Sequence, residues 1–116
     1  MMSLSEKMIY DIVVALSAHY DIRDHAIAEK SVSPRVRMEY MYINSKMLDA
    51  AVEIAGARYA RQFIFDIGHG VGYAKSKIDS FSESNYKKSK MAVKRRIAEK
   101  LHLLDAEGEF NSENKK

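Results

Sequence analysis

The stretch Ser82-Glu-Ser-Asn-Tyr-Lys-Lys-Ser-Lys-Met-Ala-Val-Lys-Arg-Arg96 carries the residue types best suited to recognise a charged, hydrogen-bonding partner. Base edges in a DNA major groove must be read by side chains that donate or accept there. Asn85 suits adenine, Lys87 and Lys88 suit guanine, and Ser84 suits several bases. Lys75, Lys77, Lys94, Arg95 and Arg96 are suited to phosphates, which position a protein on a duplex without reading sequence. The amides of 83–85, at a helix start, could also hold a phosphate oxygen.

These residues need a helix to display them. Ser82 predicts an N-cap, and Glu83 then complements the positive end of a helix over 83–102. Tyr86, Val93, Ile97, Leu101 and Leu104 fall on one stripe and are expected to pack inward. Ser84, Lys87, Lys88, Met91 and Arg95 form another. A short helix fits 73–79, followed by a tight turn in which Phe81 points inward. Short helix, turn and long basic helix together read as a helix-turn-helix over 73–102.

The rest of the chain is helical in pattern. Ser3 with Glu6 makes a capping box before a helix over 5–20. A short helix follows over 22–30. Ser33 caps a long one that starts at Pro34 and runs to Gly56, which either ends it or is tolerated inside a longer helix at a cost of about 1 kcal/mol. Residues 57–67 form the next. Three glycines, Gly68, Gly70 and Gly72, then break the helical pattern. No segment alternates with a period of two. The reading is an all-α single domain of five to six helices over 1–104, with a flexible acidic tail over 105–116.

Length and composition agree. The 116 residues suit one domain. Charged residues make up 30% of the chain, as in an ordinary globular protein. The net charge of +3 hides an asymmetry. Residues 71–102 hold nine basic and three acidic residues, whereas 1–70 hold eight and nine. A basic block within a folded domain is the electrostatic footprint of nucleic-acid binding, although solvated lysine-rich faces also look like this.

Other chemistry is poorly served. No cysteine is present, which removes disulfides, thiol catalysis and thiolate metal sites. His19 and His25 lie near Asp21 and Asp24, but without the i, i+3 or i, i+4 spacing of helical metal ligands. His69 lies between glycines without the lysine of a phosphate-binding loop. No serine stands in a nucleophile elbow. The expectation is a non-enzyme without metal or cofactor. No apolar run approaches the roughly 20 residues of a membrane span, and no leader pattern opens the chain, so a cytoplasmic protein is expected.

Met38, Tyr40, Met41, Tyr42 and Met47 cluster on the third helix. Such a helix is either central to the core or an adaptable interface. In the second case Met38, Tyr40, Met41 and Tyr42 are the interface residues, for a homodimer or another protein. A protein reading a two-fold site needs a dimer contact to set half-site spacing.

The segment Gly70-Val-Gly-Tyr, Ser-Glu-Ser-Asn-Tyr and Lys-Arg-Arg-Ile-Ala-Glu-Lys-Leu-His-Leu-Leu104 resembles the C-terminal end of phage late-gene regulators of the RinA/ArpU type. These are similar to region 4 of sigma-70 factors. The resemblance spans about 35 residues, a length read from the sequence. It implies a transcriptional regulator of a phage or mobile element that binds double-stranded DNA and contacts RNA polymerase. It also implies that Ser84, Asn85, Lys87 and Lys88 read bases and that Arg95 and Arg96 hold the backbone. The glycine cluster departs from the family pattern, in a place where it shortens or bends the helix that supports the turn. Two alternatives stay open. One is a phage-encoded interaction protein that inhibits a host protein; the other is a small terminase-like DNA-packaging subunit.

Overall fold

The computed structural model describes residues 4–104. Ser3 and the tail over 105–116 lie outside the described residues. The described chain is all-α. Its helices are α1 (Leu4–Ala18), α2 (Tyr20–Glu29), α3 (Pro34–Ala55), α4 (Ala57–His69) and α5 (Glu83–Lys100). A single 3-10 turn, Tyr73–Lys75, lies between α4 and α5.

Local chemistry explains the boundaries. Ser33 Oγ accepts the Val36 N–H, and Pro34 occupies the first helical position. Gly56 alone joins α3 to α4 at φ 84° and ψ 159°, a conformation open essentially to glycine. The chain therefore turns a corner there without a loop. Lys30, Gly70 and His102 end α2, α4 and α5 in the left-handed region. In each case the next N–H bonds back to a carbonyl five residues earlier, the Schellman pattern.

Helix α3 is central and packs against α2, α4 and α5, while α1 covers α4 and α5. The core joins Val13, Met47, Ala50, Ala51, Phe63, Ile64, Tyr86, Val93 and Ile97. Tyr86, Val93 and Ile97 of α5 are buried, as their spacing predicts, and just beyond the helix Leu104 is buried and Leu101 half-buried. Phe81 packs edge-on against Tyr59 and Phe63, with ring centroids 5.3 and 5.6 Å apart.

Three sequence expectations change. First, the helix over 73–79 does not form; only the turn Tyr73–Lys75 is helical. Asp66 explains this. Its side chain is fully buried, and its Oδ2 accepts from Ser76 Oγ at 2.6 Å. Ser76 Oγ in turn accepts the Ile78 N–H at 3.1 Å, while Ile78 enters the core. Residue 76 is thereby held extended, at φ −71° and ψ 148°. The first helix of the expected helix-turn-helix is therefore missing. Second, α5 stops at Lys100, because His102 turns left-handed and the Leu103 and Leu104 N–H groups both bond to Ala98 O. Third, Gly68 does not break α4, which continues to His69. A Cβ at Gly68 would lie 2.4 Å from Ala18 N, so glycine here permits close approach to the end of α1.

Candidate nucleic-acid interface

The capped start of α5 follows from Ser82, whose Oγ accepts the Asn85 N–H at 3.1 Å. Beyond it, Ser84, Asn85, Lys87 and Lys88 are all exposed. Tyr86 points the opposite way, into the core. Helical spacing puts Ser84, Lys88, Met91 and Arg95 on the side of α5 away from Tyr86. Lys87, Lys88, Met91 and Arg95 border a groove of about 670 Å³ shared with Glu6 and Tyr10 of α1. Its lining joins apolar Tyr10, Met91 and Ala92 to three cations and one acid, Glu6.

The cations differ in what already occupies them. Lys88 has no partner among the described residues. Lys87 pairs with Glu83 at 2.9 Å on the helix surface, and Arg95 reaches the mostly buried Glu99 at 3.5 Å. The exposed Lys87–Glu83 pair is worth little and exchanges readily. Lys94 stacks over the Tyr10 ring, 6.0 Å from its centroid.

Arg96 is different. Its Nε donates to Glu53 of α3 at 2.8 Å and its NH1 to Glu99 at 2.9 Å. These two bonds, Glu99 first, hold the guanidinium more firmly charged than usual. Glu53 also takes Lys100 Nζ at 2.5 Å. The hydrogen bonds from Lys100 and then Arg96 hold its carboxyl below the usual carboxylate range. Arg96 thus turns towards α3 and leaves the face of Lys88 and Arg95.

Lys75 and Lys77 leave it too. Both are exposed, but they border a separate cleft beside Asp66 and Arg61 of α4. Asp66 bonds to Tyr86, so this cleft flanks the opposite side of α5. The nine cations and polar residues singled out from the sequence are therefore divided. Ser84, Asn85, Lys87, Lys88 and Arg95 stay together, with Lys94 at the edge by Tyr10. Arg96 joins the α3 contact, and Lys75 and Lys77 form another site.

No family model, curated protein or solved structure matches the chain.

Two polar centres escaped the reading of the sequence. The first is Asp66. Its Oδ1 accepts from Gln62 Nε2 at 3.0 Å, and its Oδ2 from Ser76 and, at 2.7 Å, from Tyr86 OH. Tyr86 OH also lies 3.1 Å from Val71 O, and Lys90 Nζ donates to the same carbonyl at 2.5 Å. Burial pushes the Lys90 ammonium below its ordinary range. A lone acid within Phe63-Ile64-Phe65-Asp66-Ile67 was the available signal. The second is Arg23, buried between α2 and α3. Its Nε donates to Asn44 Oδ1 at 2.6 Å and its NH2 to Leu16 O at 2.7 Å. Asn44 continues the network to Tyr20 O and to Asp24. Arg23 shares the buried face of α2 with Tyr20 and Ala26, a spacing that already pointed inward.

The methionine and tyrosine cluster divides as well. Met47 is fully buried, while Met38, Met41 and Tyr42 are exposed, Met38 to 70%. Tyr40 is half-buried. His19 uses its ring Nδ1 to bond Ala15 O at 3.0 Å. Among the described residues, no three His, Asp or Glu side chains converge as a metal site. None of the described helices is long and apolar enough to cross a membrane.

Proposed function

We propose that the chain binds double-stranded DNA through the solvent side of α5 and acts as a transcriptional regulator. The observation that carries this reading is the division of α5. One side is core, and the other presents Ser84, Lys88, Met91 and Arg95, flanked by Asn85 and Lys87, from a capped helix start. A helix so exposed fits a major groove, where Asn85 and Lys88 meet base edges and Lys87 and Arg95 meet phosphates. Ser82 already holds the Asn85 and Tyr86 N–H groups, which leaves those of Glu83 and Ser84 for a phosphate oxygen. The missing first helix of the expected motif means that α1, which shares the groove with α5, supplies the neighbouring support.

Fluorescence anisotropy with pooled random duplexes at two salt concentrations tests the proposal. The two phosphate contacts of Lys87 and Arg95 give a slope of log K against log salt of about −2. Enrichment of one sequence by about 10³-fold or more marks a regulator. Salt-sensitive binding without enrichment marks a packaging or architectural protein. No binding at low salt refutes the proposal.

A second reading draws on a different face. Met38, Glu39, Tyr42 and Ile43 border a largely apolar hollow of about 380 Å³ on α3. Exposed Met and Tyr suit a protein interface, whether with a second copy, RNA polymerase or another host protein. Cross-linking in the absence of DNA tests this face, and the duplex titration tests the first reading separately.

A further inference from the structure

The cleft that holds Lys75 and Lys77 is unaccounted for by duplex binding. It measures about 300 Å³, and its borders include Arg61, Gln62, Phe65, Asp66, Lys75 and Lys77. We propose that it is a binding site for a nucleoside monophosphate, with the phosphate on the three cations and the base against Phe65.

The backbone that carries the two lysines is placed in advance. Ser76 stands between the two lysines, and its Oγ is fastened to the buried Asp66 carboxylate at 2.6 Å. The Lys75 N–H bonds Gly72 O at 3.1 Å. The backbone beneath both lysines is therefore fixed from within the core, which reduces the ordering needed to close on an anion. Neither lysine has a partner among the described residues. Arg61 comes from α4, and its NH1 lies 3.1 Å from Asp24, an exposed pair open to exchange. Its planar fork matches a phosphate.

The rest of the lining suits a base. Phe65 is 42% exposed on a helix whose other large apolar residues, Phe63, Ile64 and Ile67, are buried. Its ring leans on His69 at 4.3 Å, which holds it as a wall. A flat aromatic face beside cations is the arrangement on which bases stack. Gln62 gives one N–H to Asp66 Oδ1 and keeps its carbonyl oxygen and second N–H for a base edge. The oxygens of Asp66 are taken up by three donors, Gln62, Ser76 and Tyr86, and its side chain is fully buried behind them. Asp21 at the rim opposes further negative charge, which favours a monophosphate over a polyphosphate. The volume fits one small ligand and is too small for a duplex.

Calorimetric titrations of the full chain test this, with adenosine and guanosine 5′-monophosphate, inorganic phosphate and adenosine as separate probes. Saturable 1:1 binding of a nucleotide is expected, about tenfold or more tighter than phosphate or adenosine alone. Lys75→Ala with Lys77→Ala lowers nucleotide affinity about tenfold or more. Phe65→Ala lowers nucleotide affinity but not phosphate affinity. All these side chains are at the surface, and circular dichroism verifies that each variant is folded. The proposal fails if no nucleotide binds at millimolar concentration. It fails equally if phosphate binds as well as nucleotide, or if the lysine pair can be removed without effect. Duplex binding is read separately through Lys88→Ala, which leaves nucleotide affinity unchanged, so failure of one reading is distinct from failure of the other.

Discussion

Tyr86 OH donates to Asp66 Oδ2 at 2.7 Å across the interface of α5 and α4, with both side chains buried. This bond, with that of Ser76 to the same oxygen, ties the start of α5 to the extended segment before it. Tyr86→Phe removes one donor from a buried carboxylate. Hydrogen bonds to charged groups are worth about 1.5–3 kcal/mol, and we expect a loss of that size. Urea unfolding checks it; an unchanged midpoint would deny the bond any part in stability.

The same phenol should respond to alkali. Burial, and then the bond to Asp66, push the Tyr86 hydroxyl up to about 12 from the ordinary value of 10.0. Ionisation is thus harder in the folded state. The associated stability is fully present below about pH 10 and is lost as pH rises through about 12. Tyr20 is also raised, by burial and then Asp24, and contributes in the same direction. Stability measured from pH 9 to 12 should fall less steeply in Tyr86→Phe than in the parent chain. Parallel curves would count against the assignment.

Two glycines separate packing from conformation. At Gly68 an added Cβ meets the backbone of Ser17 and Ala18 at 2.4–2.6 Å, so α1 and α4 must part. Gly68→Ala should cost about 1–3 kcal/mol despite its better helix propensity. Gly72 has φ −90° and open space around its Cβ position. Gly72→Ala should be neutral or stabilise by about 0.4–1 kcal/mol. Thermal melts of both variants provide the comparison.

On the proposed DNA face, Lys88→Ala and Arg95→Ala should each weaken binding, and loss of a phosphate contact lowers the salt slope by about 1. Arg96→Ala should leave binding unchanged, because its guanidinium is held by Glu53 and Glu99. Equal loss from Lys88→Ala and Arg96→Ala in anisotropy titrations would contradict this division.

Arg23 anchors the second buried polar network. Arg23→Met takes the donor from the buried Asn44 Oδ1, while Leu16 O keeps the His19 N–H at 3.3 Å. An expected destabilisation of about 1–3 kcal/mol follows. Arg23→Lys should not restore full stability, since a single ammonium cannot reproduce the fork.

Much of the fold was legible because its signals are local. Ser33 before Pro34, the lone Gly56 and Ser82 before Glu83 each act on the amides and dihedrals of their own turn. The core side of α5 was legible for the same reason, since Tyr86, Val93 and Ile97 recur at helical spacing. The course of 71–82 was not, because it depends on Asp66 reaching Ser76 and Tyr86, ten and twenty residues away. Nor could the sequence show that Gly68 meets Ala18, that Arg96 answers Glu53 forty-three residues earlier, or that Lys75 and Lys77 part from Lys88. Periodicity and capping determine which residues share a helix and which face of it is apolar. Which neighbour each polar side chain meets is decided when the helices pack, since those contacts join residues that no local rule connects.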